Sequence, residues 1–148
     1  MMYPSDDRAQ ATAQLMGSPD APTLTGTVQF VQMPHGVLVT AHVSGLPVSN
    51  ESGFFALHIH EGSSCTGAGF PGTGSHYNPA GTPHPSHAGD LPPLLSNRGE
   101  AYLSVLTDRF RLSDVVGRTV VIHSGPDDFR SQPAGNAGTK IACGVIRP

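Results

Sequence analysis

Residues 76–90 read His-Tyr-Asn-Pro-Ala-Gly-Thr-Pro-His-Pro-Ser-His-Ala-Gly-Asp, and four of them could hold a metal. His76, His84 and His87 offer imidazole nitrogens, and Asp90 offers a carboxylate oxygen. Three nitrogens and one carboxylate oxygen make a complete tetrahedral set for zinc. A solvated His-rich loop would carry the same residues, so both readings stand at this point. Pro79, Gly81, Pro83, Pro85 and Gly89 exclude a helix, and no alternation supports a strand. The segment reads as a stiff loop. Upstream, His58 and His60 stand two apart in an extended run. Residues two apart on a strand share a face, so these imidazoles lie side by side, as two ligands of one metal must. His123 closes another strand-like run, and Asp127 follows four residues later. From spacing alone Asp127 reads as a solvated loop acid. His35, in a turn, and His42, on the polar face of a strand, read as surface histidines.

The elements that must position these side chains are strands. Ala11 to Met16 is a candidate first strand. Leu24 to Met33 and Val37 to Val43 alternate with the period of half-buried strands and are joined by the turn Pro34-His35-Gly36, which makes a hairpin. In Phe54 to His60, Phe55, Leu57 and Ile59 point one way and Ala56, His58 and His60 the other. With Leu57 and Ile59 in the core, the histidines project from the outer face. Leu91 to Leu95, Glu100 to Leu106, Arg118 to His123 and Ile141 to Ile146 complete the strands, and Leu112 to Val116 reads as a connection without a convincing helix. Glu61 to Asp90 and Ser124 to Thr139 are two long loops, and irregular stretches of such length usually mark function. A metal would supply order to them that a hydrophobic core does not.

Eight strands, several in hairpin order, predict an all-β, antiparallel, eight-stranded Greek-key sandwich or flattened barrel with two long functional loops. The 148 residues suffice for one domain with a real core. The 18 glycines and 14 prolines approach the level of disordered chains, but the strand pattern makes a turn-dense β domain the better account. A net charge of −3 without a basic stripe argues against nucleic acid as a partner. No apolar run approaches a membrane span. Met1 to Gln14 lacks the apolar region of a signal peptide, which points to the cytoplasm, or to the periplasm or exterior if a leader was removed. Cys65 and Cys143 alone are weak grounds for a disulfide. If they pair, closing a loop of about 78 residues stabilises by roughly 4–5 kcal/mol at most.

With the ligand candidates in order, the chain resembles copper/zinc superoxide dismutase. The resemblance lies in Leu57-His58-Ile59-His60-Glu61, Cys65, His76-Tyr77-Asn78-Pro79, His84 and His87-Ala88-Gly89-Asp90-Leu91. It continues in Gly117-Arg118-Thr119-Val120-Val121-Ile122-His123 and in the run from Gly135 to Ile146. Six of the eight histidines fall on family ligand positions in the family's order. The expected division is a disordered N-terminal segment, 1–10, and one superoxide dismutase-like domain, 11–148.

The resemblance implies that His58, His60, His76 and His123 bind one copper ion, and that His76, His84, His87 and Asp90 bind one zinc ion. His76 would bridge the two metals. The implied reaction is disproportionation of superoxide to oxygen and hydrogen peroxide, with copper cycling between oxidation states and His76 carrying a proton. Asp127 falls where the family links His84 and His58 by hydrogen bonds, and Cys65 and Cys143 match the family's intrasubunit disulfide. The family usually places an arginine beside the copper, and here the aligned residue is Lys140. Lysine keeps the charge but loses the two-donor fork, which implies weaker orientation of the anion. The loop 124–139 is short for the family and lacks its field-shaping charges, for which Arg130 is a candidate substitute although a solvated surface Arg is the simpler reading. Partners implied are superoxide and, as an open option, a second copy in a homodimer. A copper-chaperone or metal-buffering relative is the competing reading, and a copper-only enzyme a third. The complete copper set, Lys140 and the intact His84, His87 and Asp90 weigh against both.

Overall fold

A computed structural model of the chain describes residues 9–148. Among the described residues nine strands form, most of them in one curled antiparallel sheet. They are β1 (Gln10–Gly17), β2 (Thr25–Met33), β3 (Gly36–Ser44), β4 (Phe54–Phe55), β5 (Leu57–His60), β6 (Leu94–Leu95), β7 (Ala101–Thr107), β8 (Thr119–His123) and β9 (Lys140–Arg147). The large sheet runs β5-β8-β9-β1-β2-β3-β7, and β4 pairs with β6 in a second, two-stranded sheet. The chain crosses from β3 to the opposite edge at β5, back to β7 beside β3, and over again to β8 beside β5. These long crossovers between antiparallel strands are of the Greek-key kind. The all-β antiparallel class is the one expected.

Alternation explains which face is buried. In β1 the small or apolar Ala11, Ala13 and Leu15 turn inward, and in β2 Val28 and Phe30 do so. Val37, Val39, Ala41 and Val43 continue the inner face on β3. Leu57, Ile59, Val120, Ile122 and Ile146 close the core at the other edge. Burying such a side chain fully is worth about 1.5–3 kcal/mol, which commits the opposite face of β5 to whatever covers it.

The differences from the sequence reading are local. The expected single strand over 54–60 divides at Ala56. Phe54 and Phe55 pair with Leu95 and Leu94, whereas Leu57 to His60 pair with Ile122 to Thr119. Ala56 makes the corner: its N–H donates to the Gly125 carbonyl at 3.0 Å and its carbonyl accepts from His123 N–H at 3.0 Å. The expected strand 91–95 shrinks to Leu94–Leu95, because Pro92 and Pro93 have no N–H for a ladder. Gln10, placed in the disordered segment by the sequence, instead opens β1 opposite Val31. Residues 1–8 of that segment lie outside the described residues. The connection after β7 contains one helical turn, α1 (Leu112–Val115), which is too short to show a period. Arg111 N–H donates to Asp114 Oδ2 at 2.9 Å, and Leu112 N–H to Gln32 Oε1 at 2.8 Å, which satisfies two donors at its start. Among the described residues no helix is long and apolar enough to cross a membrane.

Cys65 and Cys143 form a disulfide, 78 positions apart. It ties the first long loop to β9, as the resemblance implied. Replacing both by serine is expected to lower the unfolding free energy by up to about 4–5 kcal/mol, read from urea denaturation. An unchanged midpoint would mean that the metal loop is already held without the bond.

Candidate metal centre

The strand β5 presents His58 and His60 away from the core, yet both are buried: His58 is 0% exposed and His60 2%. The cover is the loop 61–90, which returns twice along the free edge of β5. On one pass Glu61 N–H donates to Ser75 O and Tyr77 N–H to Ile59 O, each at 2.8 Å. On the other, Ile59 N–H donates to Gly89 O at 2.8 Å and Leu91 N–H to Leu57 O at 3.3 Å. The loop expected to lack regular structure is therefore pinned as two short pseudo-strands, with a 3₁₀ turn at Pro71–Thr73 between β5 and the first of them. Gly89 is required where it stands, since a Cβ there would lie 2.3 Å from the Ile59 carbonyl oxygen. These passes bring His76 opposite His60 and Asp90 opposite His58.

His123 arrives from β8 by a different device. The ladder between β8 and β9 runs regularly to Ile122 opposite Ala142, and then places His123 opposite Lys140. One extra residue, Ile141, bulges out of β9. Such a bulge re-aims the next side chain. Here it makes Lys140 the cross-strand neighbour of His123.

Tautomers follow from the partners. A carbonyl oxygen only accepts, so His60 Nδ1 donates to Gly74 O at 2.9 Å and His123 Nδ1 to Gly138 O at 3.3 Å. Their Nε2 atoms carry lone pairs and face each other at 3.3 Å. Asp127 accepts from His58 Nε2 at 2.9 Å and from His84 Nε2 at 2.8 Å. That leaves the lone pairs of His58 and His84 on Nδ1. Both Nδ1 atoms, and His76 Nε2, are buried without a hydrogen-bond partner. An unpartnered buried polar atom is costly, and three of them converging is what a cation site requires.

Ligand atoms of His58, His60, His76 and His123 lie within 4.8 Å of one another. A second group within the same span is His58, His76, His84 and Asp90, with His58 where the sequence led us to expect His87. His87 is nevertheless close: its Nδ1 lies 3.1 Å from His76 Nδ1 and 3.3 Å from Asp90 Oδ2. Asp90 also stands 2.8 Å from His76 Nδ1 and 3.0 Å from His84 Nδ1. Atoms 2.0–2.2 Å from a tetrahedral ion are about 3.3 Å apart. These four contacts, of which those to Asp90 run to Oδ1 from His76 and to Oδ2 from His84 and His87, fit that edge with slight contraction. His58 cannot serve both groups, because Asp127 occupies its Nε2.

Burial drives His60 down to about 2 and His123 down to about 3, and lowers His58 and His87 as well. All four are neutral near pH 7 and so able to ligate. Burial alone would raise Asp90 and Asp127. The bond from His76 to Asp90, and those from His58 and His84 to Asp127, outweigh it and keep both below the usual carboxylate range.

Beside the rings lies a cavity of about 850 Å³ lined by His60, His76, His123 and Lys140, with Asp20 and Glu61 also on its wall. Lys140 is the chain's only lysine. Its ammonium donates to Thr73 Oγ1 at 2.7 Å and to Gly74 O at 3.1 Å, the same carbonyl that orients His60. Burial lowers its pKa. Arg130 is exposed and does not line the cavity, and His35 and His42 lie on the surface.

Several residues at the centre escaped the sequence reading. Gly135, at φ +73°, packs against the Asp127–His84 contact so closely that a Cβ would fall 2.0 Å from Asp127 Oδ1. Arg109 Nη1 donates to the carbonyls of Pro85 and His87 at 2.8 and 3.2 Å. Thr73 and Gln132 likewise had no role. None sits at a spacing that marks it.

Comparison with known proteins agrees with this geometry. The copper/zinc superoxide dismutase (SODC) family model matches residues 24–146. The chain is 38% identical over 137 residues to superoxide dismutase [Cu-Zn] 2 of Aquifex aeolicus, covering 82% of this chain and 78% of the relative. It is 35% identical over 144 residues to the superoxide dismutase [Cu-Zn] of Legionella pneumophila, covering 92% and 86%. The solved Cu/Zn superoxide dismutase from Brucella abortus superposes with a TM-score of 0.76 at 27% identity, over 94% of this chain and 100% of that one.

The lowered histidines set the acid stability of the metal-free protein. Unfolded, His60 and His123 take up protons near 6.5; folded, they resist until about 2 and about 3. Below 6.5 the unfolded chain therefore binds more protons and is favoured. Stability should be complete above about pH 6.5 and fall progressively as the pH drops below it. Urea midpoints measured from pH 7.5 to 4.5 check this, and a flat profile would contradict it.

Proposed function

The chain belongs to the copper/zinc superoxide dismutase family and is an oxidoreductase of that family, and on this premise we propose that it disproportionates superoxide to oxygen and hydrogen peroxide at its paired ligand groups. The observation that carries the proposal is the double convergence on His76. Its Nε2 is buried without a partner beside His58, His60 and His123, and its Nδ1 lies within 3.1 Å of both His87 and Asp90.

We assign His58 Nδ1, His60 Nε2, His76 Nε2 and His123 Nε2 to copper. His76 Nδ1, His84 Nδ1, His87 Nδ1 and Asp90 are assigned to zinc. The first set is all imidazole, which suits copper, and the second is the His₃Asp set of a closed zinc site. When bound, copper supplies the one-electron redox change the reaction needs, which zinc cannot.

The rest falls to the chain. Asp127 takes one proton bond from a ring of each group, so it fixes two ligand orientations at once. The carbonyls of Gly74 and Gly138 do the same for His60 and His123. His76 lines the cavity, and we assign to its ring the delivery of a proton to substrate there, from Nε2 whenever that nitrogen would not be holding the metal. A general acid must lie within hydrogen-bond reach of the atom it serves, and the cavity reaches His76 directly. Lys140 is the one cationic side chain among the described residues lining that cavity. Its charge draws the anion past Asp20 and Glu61. Because Thr73 and Gly74 hold two of its donors, one N–H remains for substrate.

His123→Ala is expected to abolish superoxide consumption while the protein stays folded and retains zinc, as read from a superoxide-decay assay alongside metal analysis. Undiminished turnover would remove His123 from the chemistry. Lys140→Met is expected to lower the rate about tenfold at low ionic strength, with the deficit shrinking as salt screens the charge. A deficit independent of salt would assign Lys140 a packing role instead.

A further inference from the structure

Gln132 lies in the loop between β8 and β9, and its side chain is exposed. Its amide nevertheless meets the backbone of His84, 48 positions earlier, on both sides. Gln132 Oε1 accepts from His84 N–H at 2.8 Å, and Gln132 Nε2 donates to the His84 carbonyl at 2.8 Å. The same Nε2 donates to the Arg130 carbonyl at 3.0 Å, which keeps the amide from turning over. A side chain here reproduces the pair of bonds that one strand residue makes with another.

His84 is thus gripped at three points by one loop. Gln132 holds its N–H and its carbonyl, and Asp127 holds Nε2 at 2.8 Å. The only polar atom left is Nδ1, which has no hydrogen bond and stands 3.0 Å from Asp90 Oδ2. The backbone bonds fix where the side chain starts, and the Nε2 bond fixes where the ring points. Asp127 fixes the direction of the ring and Gln132 both backbone groups of the residue that carries it; the flanking Pro83 and Pro85 have no N–H of their own and are held only through their carbonyls, by Ser86 N–H and Arg109 Nη1 at 2.8 Å each.

We propose that Gln132 is a positioning residue for metal binding by His84: it holds the His84 backbone where Nδ1 meets His76, His87 and Asp90, and so raises the chain's affinity for zinc. The proposal rests on the zinc ligand set assigned above. Loss of an outer partner of this kind typically weakens metal binding by about 10- to 100-fold.

The test titrates the metal-free protein with zinc alone against a competing chelator. Gln132→Met keeps the length and removes the amide, and should weaken zinc binding by about 10- to 100-fold. Gln132→Glu keeps an acceptor for His84 N–H but loses the donor, and should recover part of that loss. The urea midpoint of each metal-free variant is compared with that of the unsubstituted protein, and the loss of zinc affinity should exceed the loss of metal-free stability. Unchanged zinc affinity in Gln132→Met overturns the proposal, as does a loss matched by an equal fall in metal-free stability. His84→Ala tests the ligand set separately: zinc held at full affinity without that ring overturns the set, whatever Gln132 does.

Discussion

An imidazole has two nitrogens, and it can present a lone pair on one only if something takes the proton on the other. This centre solves that problem for His58, His60, His84 and His123 with protein acceptors alone. Two backbone carbonyls and the two oxygens of Asp127 accept the four protons. The lone pairs then have nowhere to point except at each other. In water the same rings would be solvated and free to ionise, so burial and acceptor placement have to act together. Burial keeps His58, His60 and His123 neutral, and the acceptors aim all four rings.

That requirement explains why an otherwise ordinary β domain carries loops of such length. The strand β5 is an edge, and an exposed edge is a liability. Here its open backbone groups hold the loop 61–90, which delivers His76 and Asp90 to the face where His58 and His60 already stand. The disulfide anchors the first part of that loop to β9. β9 in turn supplies Lys140 beside His123 through the bulge at Ile141. The second loop, 124–139, does two jobs: Asp127 joins the two candidate ligand groups, and Gln132 fastens the backbone of His84. Gly135 makes the approach possible by having no side chain.

The cavity carries a charge arrangement of its own. One ammonium stands among carboxylates and imidazole rings, and it is held by a buried hydroxyl and a carbonyl rather than left free. A lysine suits that pocket as a compact charge whose donors can be shared out. Gly74 O receives both Lys140 and His60, so the cavity's ammonium and a candidate ligand ring share a single acceptor.

Local sequence determined the ligand types, the pairing of His58 with His60, the antiparallel β class and most strand positions, because alternation and turn residues act over a few neighbours. The order of the histidines identified the family, and through it the disulfide. Tertiary structure alone decided which nitrogen of each ring is free, that Phe54 to His60 splits at Ala56, that a bulge sets Lys140 against His123, and that Gln132 grips His84. Those depend on backbone groups dozens of positions apart meeting within about 3 Å. Short-range patterns report a residue's own face and period, and carry no record of which distant carbonyl will receive its proton.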